Sequence, residues 1–244
     1  MPCRLFLLLS LILPVGVFAS PGQALRVLVL DDAPPLSYRD QSGQLTGFNV
    51  EIVRAVCREI QVRCQFEVTT QGAVVNAIVE GKADIAGVGL QQTAGQHGKL
   101  IFAKAHYRSQ SLWLARRGVQ PGQPGLRVAV VGGSEQESYA RRQGWATLAV
   151  ATYGELASPL LARQVQAAMV PMISALNLQK SPAFRQLDLV PLVMRIPELA
   201  GDLAFGISPR RPELKEEIDA ALDRIKRNGT YDRINSRFLP FRVS

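Results

Sequence analysis

Two apolar periods alternate along this chain. "LRVLVLDD" (25–32) is an apolar run, interrupted only by Arg26 and ending in two acids, the pattern of a buried strand. In "FNVEIVRAVCREIQV" the residues Val50, Ile52, Val53, Val56 and Ile60 fall on one helical stripe. "QFEVTT" (65–70) alternates as a strand does. "AVVNAIVEGK" (73–82) reads as a short helix stopped at Gly81, and "ADIAGVG" (83–89) returns to strand. The theme then restarts. "SLWLARR" (111–117) is a strand, "GVQPGQPG" a loop, and "LRVAVVGGSEQESYARRQG" (126–144) a strand, a glycine turn and a helix with a polar start. Further strands are expected at 148–152, 165–170, 187–193 and 202–208. Leu214, Ile218, Leu222 and Ile225 form the stripe of a closing helix, with Pro212 in its first turn and Gly229 as its C-terminal stop. Strands alternating with helices predict an α/β protein with mainly parallel sheets covered on both faces. In such sheets ligands sit beyond the carboxyl ends of the strands. Three turns lie there: Asp31–Leu36, Val88–Gln96 and Gly132–Glu135.

The first residues stand apart from this pattern. "MPCRLFLLLSLILPVGVFAS" carries one base, Arg4, then an apolar run too short and too early for a membrane span, then small residues. Residues 1–24 are read as a secretory signal peptide, cut after Ala19 or Ala24, and the mature protein is expected in the periplasm. Loss of Arg4 lowers the formal charge from +8 to +7. The remaining bases are scattered in short pairs such as Arg116-Arg117 and Arg210-Arg211, with no basic stripe among aromatics, so a nucleic-acid partner is not expected. Cys57 and Cys64 remain after export. The pair fits a disulfide in an oxidising compartment, or two buried free thiols.

Several chemistries lack their residues. His97 and His106 are the only histidines, and no His/Cys ligand spacing accompanies them, so neither a metal site nor a cofactor is expected. No serine elbow is present. "GGSEQE" (132–137) has the glycines of a phosphate loop without its lysine. Ser134 can open a helix that offers free N–H groups to an anion, or can be a plain cap.

Three stretches, taken together, resemble the periplasmic solute-binding proteins of the polar amino-acid type, family 3. They are "DDAPPLSYRDQSGQLTGFNVEIVRAVCREIQVRCQFE" (31–67), "IVEGKADIAGVGLQQT" (78–93) and "AALDRIKRNGTYDRINSRF" (220–238). The resemblance implies the type II periplasmic-binding-protein fold, two lobes closing on a solute about a hinge. It puts lobe 1 at 25–106 plus 205–244 and lobe 2 at 107–204. It also implies a Cys57–Cys64 disulfide.

The same resemblance exposes departures. In the family an arginine three residues after the turn threonine grips the ligand's carboxylate; here Thr93 is present and Gln96 holds the arginine's position. Gly89 and Gln91 stand where serine-type contacts are usual. Pro171 replaces the acid that receives an α-amino group, Glu135 replaces a hydroxyl, and Ala33 and Leu36 replace the sandwiching aromatics. His97 and Lys99 are the cationic neighbours that could substitute for the arginine. The candidate ligand-binding set is therefore Asp32, Leu36, Gly89, Gln91, Thr93, Gln96, Ser134 and Glu135. Thr93 and Gln96 would offer neutral hydrogen bonds, Ser134 would act from its helix start, and Asp32 and Glu135 would receive a cation. The expected function is an exported, monomeric, non-enzymatic capture protein for a small polar solute serving an ABC importer, the solute not being a standard α-amino acid held in the usual way. The alternatives are an accessory or sensory partner on the same fold, and a periplasmic dehydratase-like enzyme.

Overall fold

The computed structural model describes residues 24–93 and 98–243; the expected leader, Gln96 and His97 lie outside them. Most strands gather into two large sheets, and Asp32–Ala33, Ser37–Arg39 and Leu45–Thr46 form a small antiparallel third. The first has the order Cys64–Val68, Leu25–Val29, Ile85–Gln91, Gly201–Ile207 and Ile101–Phe102, with Tyr107–Ser109 also pairing with Gly201–Ile207. Its first three strands are parallel, and Gly201–Ile207 joins them antiparallel. The second runs Ala146–Val150, Arg127–Val131, Ala167–Pro171, Ser111–Ala115 and Val190–Met194. It too begins with three parallel strands and ends with antiparallel pairings. Each large sheet with its helices makes one lobe. Between them, Tyr107–Ser109 pairs antiparallel with Gly201–Leu203, so the outgoing and returning passages of the chain are tied together.

Burial follows the expected stripes. In the helix Phe48–Glu59 the residues Val50, Ile52, Val53 and Val56 are buried; Leu214, Ile218, Leu222 and Ile225 of Leu214–Arg227 pack into the same core. Cys57 at the end of the first helix is bonded to Cys64 at the start of its strand, with Cα atoms 6.2 Å apart.

Gly47 sets how the first helix meets the cleft loop. Its φ is +120°, and a Cβ there would stand 2.5 Å from the Leu36 carbonyl oxygen. With no side chain to intervene, Phe48 and Asn49 donate their N–H groups to the Pro35 and Leu36 carbonyls, both at 2.9 Å. Leu36 is thereby fixed in the cleft wall.

Two features differ from the pattern read along the chain. The strand expected at 187–193 forms instead at Val190–Met194, because Asp188 takes a φ of +48° and Leu187 turns into the second lobe's core. Short helices at Met172–Leu178 and Pro182–Arg185 fill a stretch with no helical stripe to announce them, one starting directly after Pro171 and the other capped by Ser181, which accepts from the Phe184 N–H at 3.3 Å.

Candidate functional site

The parallel strands of both lobes end facing one cleft of about 730 Å³, open solvent at its mouth included. From the first sheet and its connections come Leu30, Ala33, Leu36, Gln71, Gly89, Gln91 and Tyr107, the last expected in lobe 2 but paired into the first sheet. The second supplies Ser111, Ser134, Glu135, Gln136, Tyr153 and Pro171. A further space of about 580 Å³ shares Leu30, Gln71 and Tyr153 with it and adds Asp31, Asp32, Thr69, Thr70 and Thr152.

The lobes touch across the cleft. A Cβ on Gly133 would stand 2.7 Å from the Gly72 nitrogen, and one on Gly154 would stand 2.8 Å from Asp32 Oδ2. Ala33 of the first lobe packs into the second lobe's core with Tyr153 and Leu156. The structure is a closed form in which the lobes touch, and at Gly133 and Gly72 backbones that carry no side chain meet across the cleft.

The helix Glu135–Arg142 brings its start to the cleft. Ser134 Oγ accepts from the Glu137 N–H at 3.2 Å, and the Glu137 carboxylate accepts from the Gly133 N–H at 2.7 Å. This reciprocal cap explains the order Ser134-Glu135-Gln136-Glu137. Ser134 Oγ thus accepts from its own helix and keeps its O–H to donate. Glu135, next in line, is half-buried, and burial pushes its carboxyl up against a smaller opposing pull from Arg142. Gln136 is buried and donates to Ser111 Oγ at 2.8 Å; Ser111 in turn donates to the Leu199 carbonyl at 3.1 Å. Gln91 donates to the Ala200 carbonyl at 3.3 Å.

On the facing wall Tyr107 lies flat against Gly89: its Cζ would be 2.7 Å from a Cβ at that position. Burial pushes the Tyr107 hydroxyl's pKa well up, a hydrogen bond from Asn49 partly opposing it. Behind it His106 is fully enclosed, its ring 3.9 Å from that of Phe205, and desolvation drives its pKa down to about 3. Its Nε2 lies 3.2 Å from Asn49 Oδ1.

Of the residues expected from sequence, Leu36, Gly89, Gln91, Ser134 and Glu135 line the main compartment, and Asp32 lines the adjoining one. Thr93 stands half-buried past the end of its strand and is not among the cleft-lining residues. Gln96 lies outside the described residues. Sequence reading missed Asn49, Gln71, Tyr107, Ser111, Gln136 and Tyr153. Only Gln136 had a local signal, its place one residue beyond Glu135 in the polar helix start. Among the described lining residues of the main compartment Glu135 is the one carboxylate, and none is lysine, arginine or histidine.

Comparison with known proteins agrees with this architecture. The model of the bacterial extracellular solute-binding proteins, family 3, matches residues 25–241. The lysine/arginine/ornithine-binding periplasmic protein of Escherichia coli K12 is 26% identical, over 98% of this chain and 96% of that protein. The histidine-binding periplasmic protein of Salmonella typhimurium is 23% identical over 98% of each. Among solved structures, a Salmonella typhimurium periplasmic binding protein of high arginine specificity superposes with a TM-score of 0.79 at 19% identity, covering 88% of this chain and 99% of that one. A histidine kinase sensor domain similar to periplasmic binding proteins superposes with a TM-score of 0.80 at 21% identity, over 92% of this chain and 99% of the other. With the family model spanning both lobes and the cleft between them, this chain belongs to the bacterial extracellular solute-binding proteins, family 3.

Proposed function

We propose that the cleft captures a small polar solute bearing a cationic group, and that the loaded, closed protein delivers it to an ABC permease from the periplasm. The observation that carries this reading is the cleft's charge. Neutral amides and hydroxyls line it around a single described carboxylate, Glu135, while Asp31 and Asp32 border the adjoining space. A cation leaving water needs a matched partner, and an ionised Glu135 supplies one. A carboxylate on the solute would find no such partner among the described residues. The relatives named for lysine, arginine, ornithine and histidine fit the cationic half of this reading.

The chain is read as a binding protein rather than an enzyme. The curated relatives that match along nearly the whole chain are named for binding. Glu135 has no second carboxylate with it on the described walls of the main compartment.

A thermal-shift screen of the exported protein against amines, guanidines, basic amino acids, sugars and organic acids tests the reading. A solute that binds only the folded state stabilises it by about 2.7 kcal/mol at a concentration a hundred times its Kd. Cationic solutes should raise Tm and organic acids should not. A shift confined to sugars or acids would overturn the proposal.

A further inference from the structure

We propose that Tyr107 sets the solute class: its phenol O–H, held over Gly89 by Asn49, donates to an uncharged carbonyl oxygen of the solute while Glu135 on the opposite wall receives the cation. The inference rests on the reading above and narrows it to amines or guanidines that carry an amide-type carbonyl instead of a carboxylate.

Behind the cleft, His106, Asn49 and Tyr107 lie in one buried cluster. Asn49 Oδ1 can only accept, so its 3.2 Å contact with His106 Nε2 puts the imidazole proton on that nitrogen. The imidazole is neutral, because full burial among Phe48, Tyr107 and Phe205 disfavours its charged form. With its oxygen so engaged, the only group Asn49 has left to turn towards the Tyr107 oxygen is its amide N–H. The phenol's own proton is then left as the group it can offer to the cleft that it lines. Tyr107 and Asn49 are themselves 4% and 2% exposed, so neither can swing away to satisfy itself with water.

Gly89 makes this placement possible. The Tyr107 hydroxyl and ring lie where any side chain at 89 would begin. The neighbouring strand therefore contributes no competing group, and the aromatic ring closes that end of the cleft. The phenol remains protonated, since burial raises its pKa, and so it acts as a donor. One neutral donor cannot compensate a desolvated carboxylate with Glu135 lining the same compartment, whereas it fully satisfies an amide or ester oxygen. The recognised pattern is an acceptor oxygen at Gly89 and a cation at Glu135.

Calorimetry with three matched probes tests this: L-arginine, L-argininamide and agmatine. All keep the guanidinium; the first has a carboxylate, the second an uncharged carbonyl, and the third neither. The unmodified protein should bind argininamide best. Tyr107→Phe, which keeps the ring and deletes the donor, should weaken argininamide by about three- to tenfold and leave agmatine unchanged. Gly89→Ala should produce the same selective loss by displacing the ring, and thermal melts without ligand report whether each variant is folded. If agmatine binds as well as argininamide, cationic capture stands and the carbonyl contact is refuted. A Tyr107→Phe variant that keeps the full preference for argininamide likewise refutes it. Binding of none of the three removes the cationic reading and this inference with it.

Discussion

The two walls of the cleft are built by opposite means. The first lobe's wall is a side-chain wall: Leu36, Gln91 and Tyr107 stand on strand ends and a glycine-pinned loop, backed by the enclosed Asn49–His106 pair. The second lobe's wall depends on a helix start, where Ser134 and Glu137 cap the backbone and Glu135 is left to face the cleft. The first wall offers shape and neutral hydrogen bonds. The second offers Glu135, the one carboxylate among the described residues lining the main compartment. In the function proposed above, Glu135 on the second wall meets the solute's charge and the first wall meets its shape.

The largest effect should come from removing the charge. Glu135→Gln keeps the side chain's size and deletes the charge-assisted contact, and should weaken a cationic solute by roughly 1.5–3 kcal/mol, about ten- to a hundredfold, in calorimetry. Because burial raises the Glu135 pKa, binding should also weaken as pH falls through that raised value, earlier than an exposed glutamate would give. Equal affinity in Glu135→Gln would mean that the second wall contributes no charge recognition.

Next comes the interior of the first wall. His106 titrates at about 3 when folded against about 6.5 when unfolded, so the unfolded chain takes up the proton first. Its contribution is neutral above pH 6.5 and destabilises progressively as pH falls from 6.5 towards 3. At pH 5 the loss is about 2 kcal/mol. Thermal melts of the ligand-free protein should show this acid slope, and His106→Gln should flatten it. A slope identical in both proteins would show that the ring is not buried neutral.

A smaller effect tests how the walls meet. Gly133 has a φ of +76° and touches Gly72; Gly144 has a φ of +71° and nothing within 4 Å of where its Cβ would be. Alanine at either position pays the same left-handed strain, about 1–2 kcal/mol. Only Gly133→Ala should, in addition, lower solute affinity by obstructing closure. Matching affinities in the two variants would show that this approach is not required.

The smallest effect is local. Glu137→Ala removes half of the reciprocal cap and should cost about 1 kcal/mol in chemical denaturation. Burial alone would raise the Glu137 pKa, but the Gly133 N–H and Arg141 lower it overall, so this stabilisation is present at neutral pH and fades as pH falls through the depressed value. An unchanged denaturation midpoint would mean that Ser134 alone organises the turn.

The fold was legible because its elements announce themselves locally. A run such as "LRVLVLDD", short and closed by a turn signal, reads as a buried strand, and the Leu214–Ile225 stripe reads as a helix face packed on a core. The site was half legible. Leu36, Gly89, Gln91 and Glu135 sit at strand ends or helix starts, where an α/β fold places ligands, and the structure brings them together. Tyr107 and Asn49 meet only because the start of the first helix packs against a strand 58 positions further along, and no period in the chain encodes that meeting. Asn49 reads locally as an ordinary first-turn residue, and Tyr107 as part of a linker. Ser134 was ambiguous between cap and ligand group, and its hydroxyl proves to cap the helix.

The central claim, that this cleft closes on a small solute, is tested most directly by small-angle scattering. Adding the solute that gives the largest thermal shift should lower the radius of gyration, with a profile approaching that calculated for the closed form described above. A profile unchanged at saturating solute, in a protein whose melting temperature that solute raises, would contradict the account and place the binding site outside the cleft.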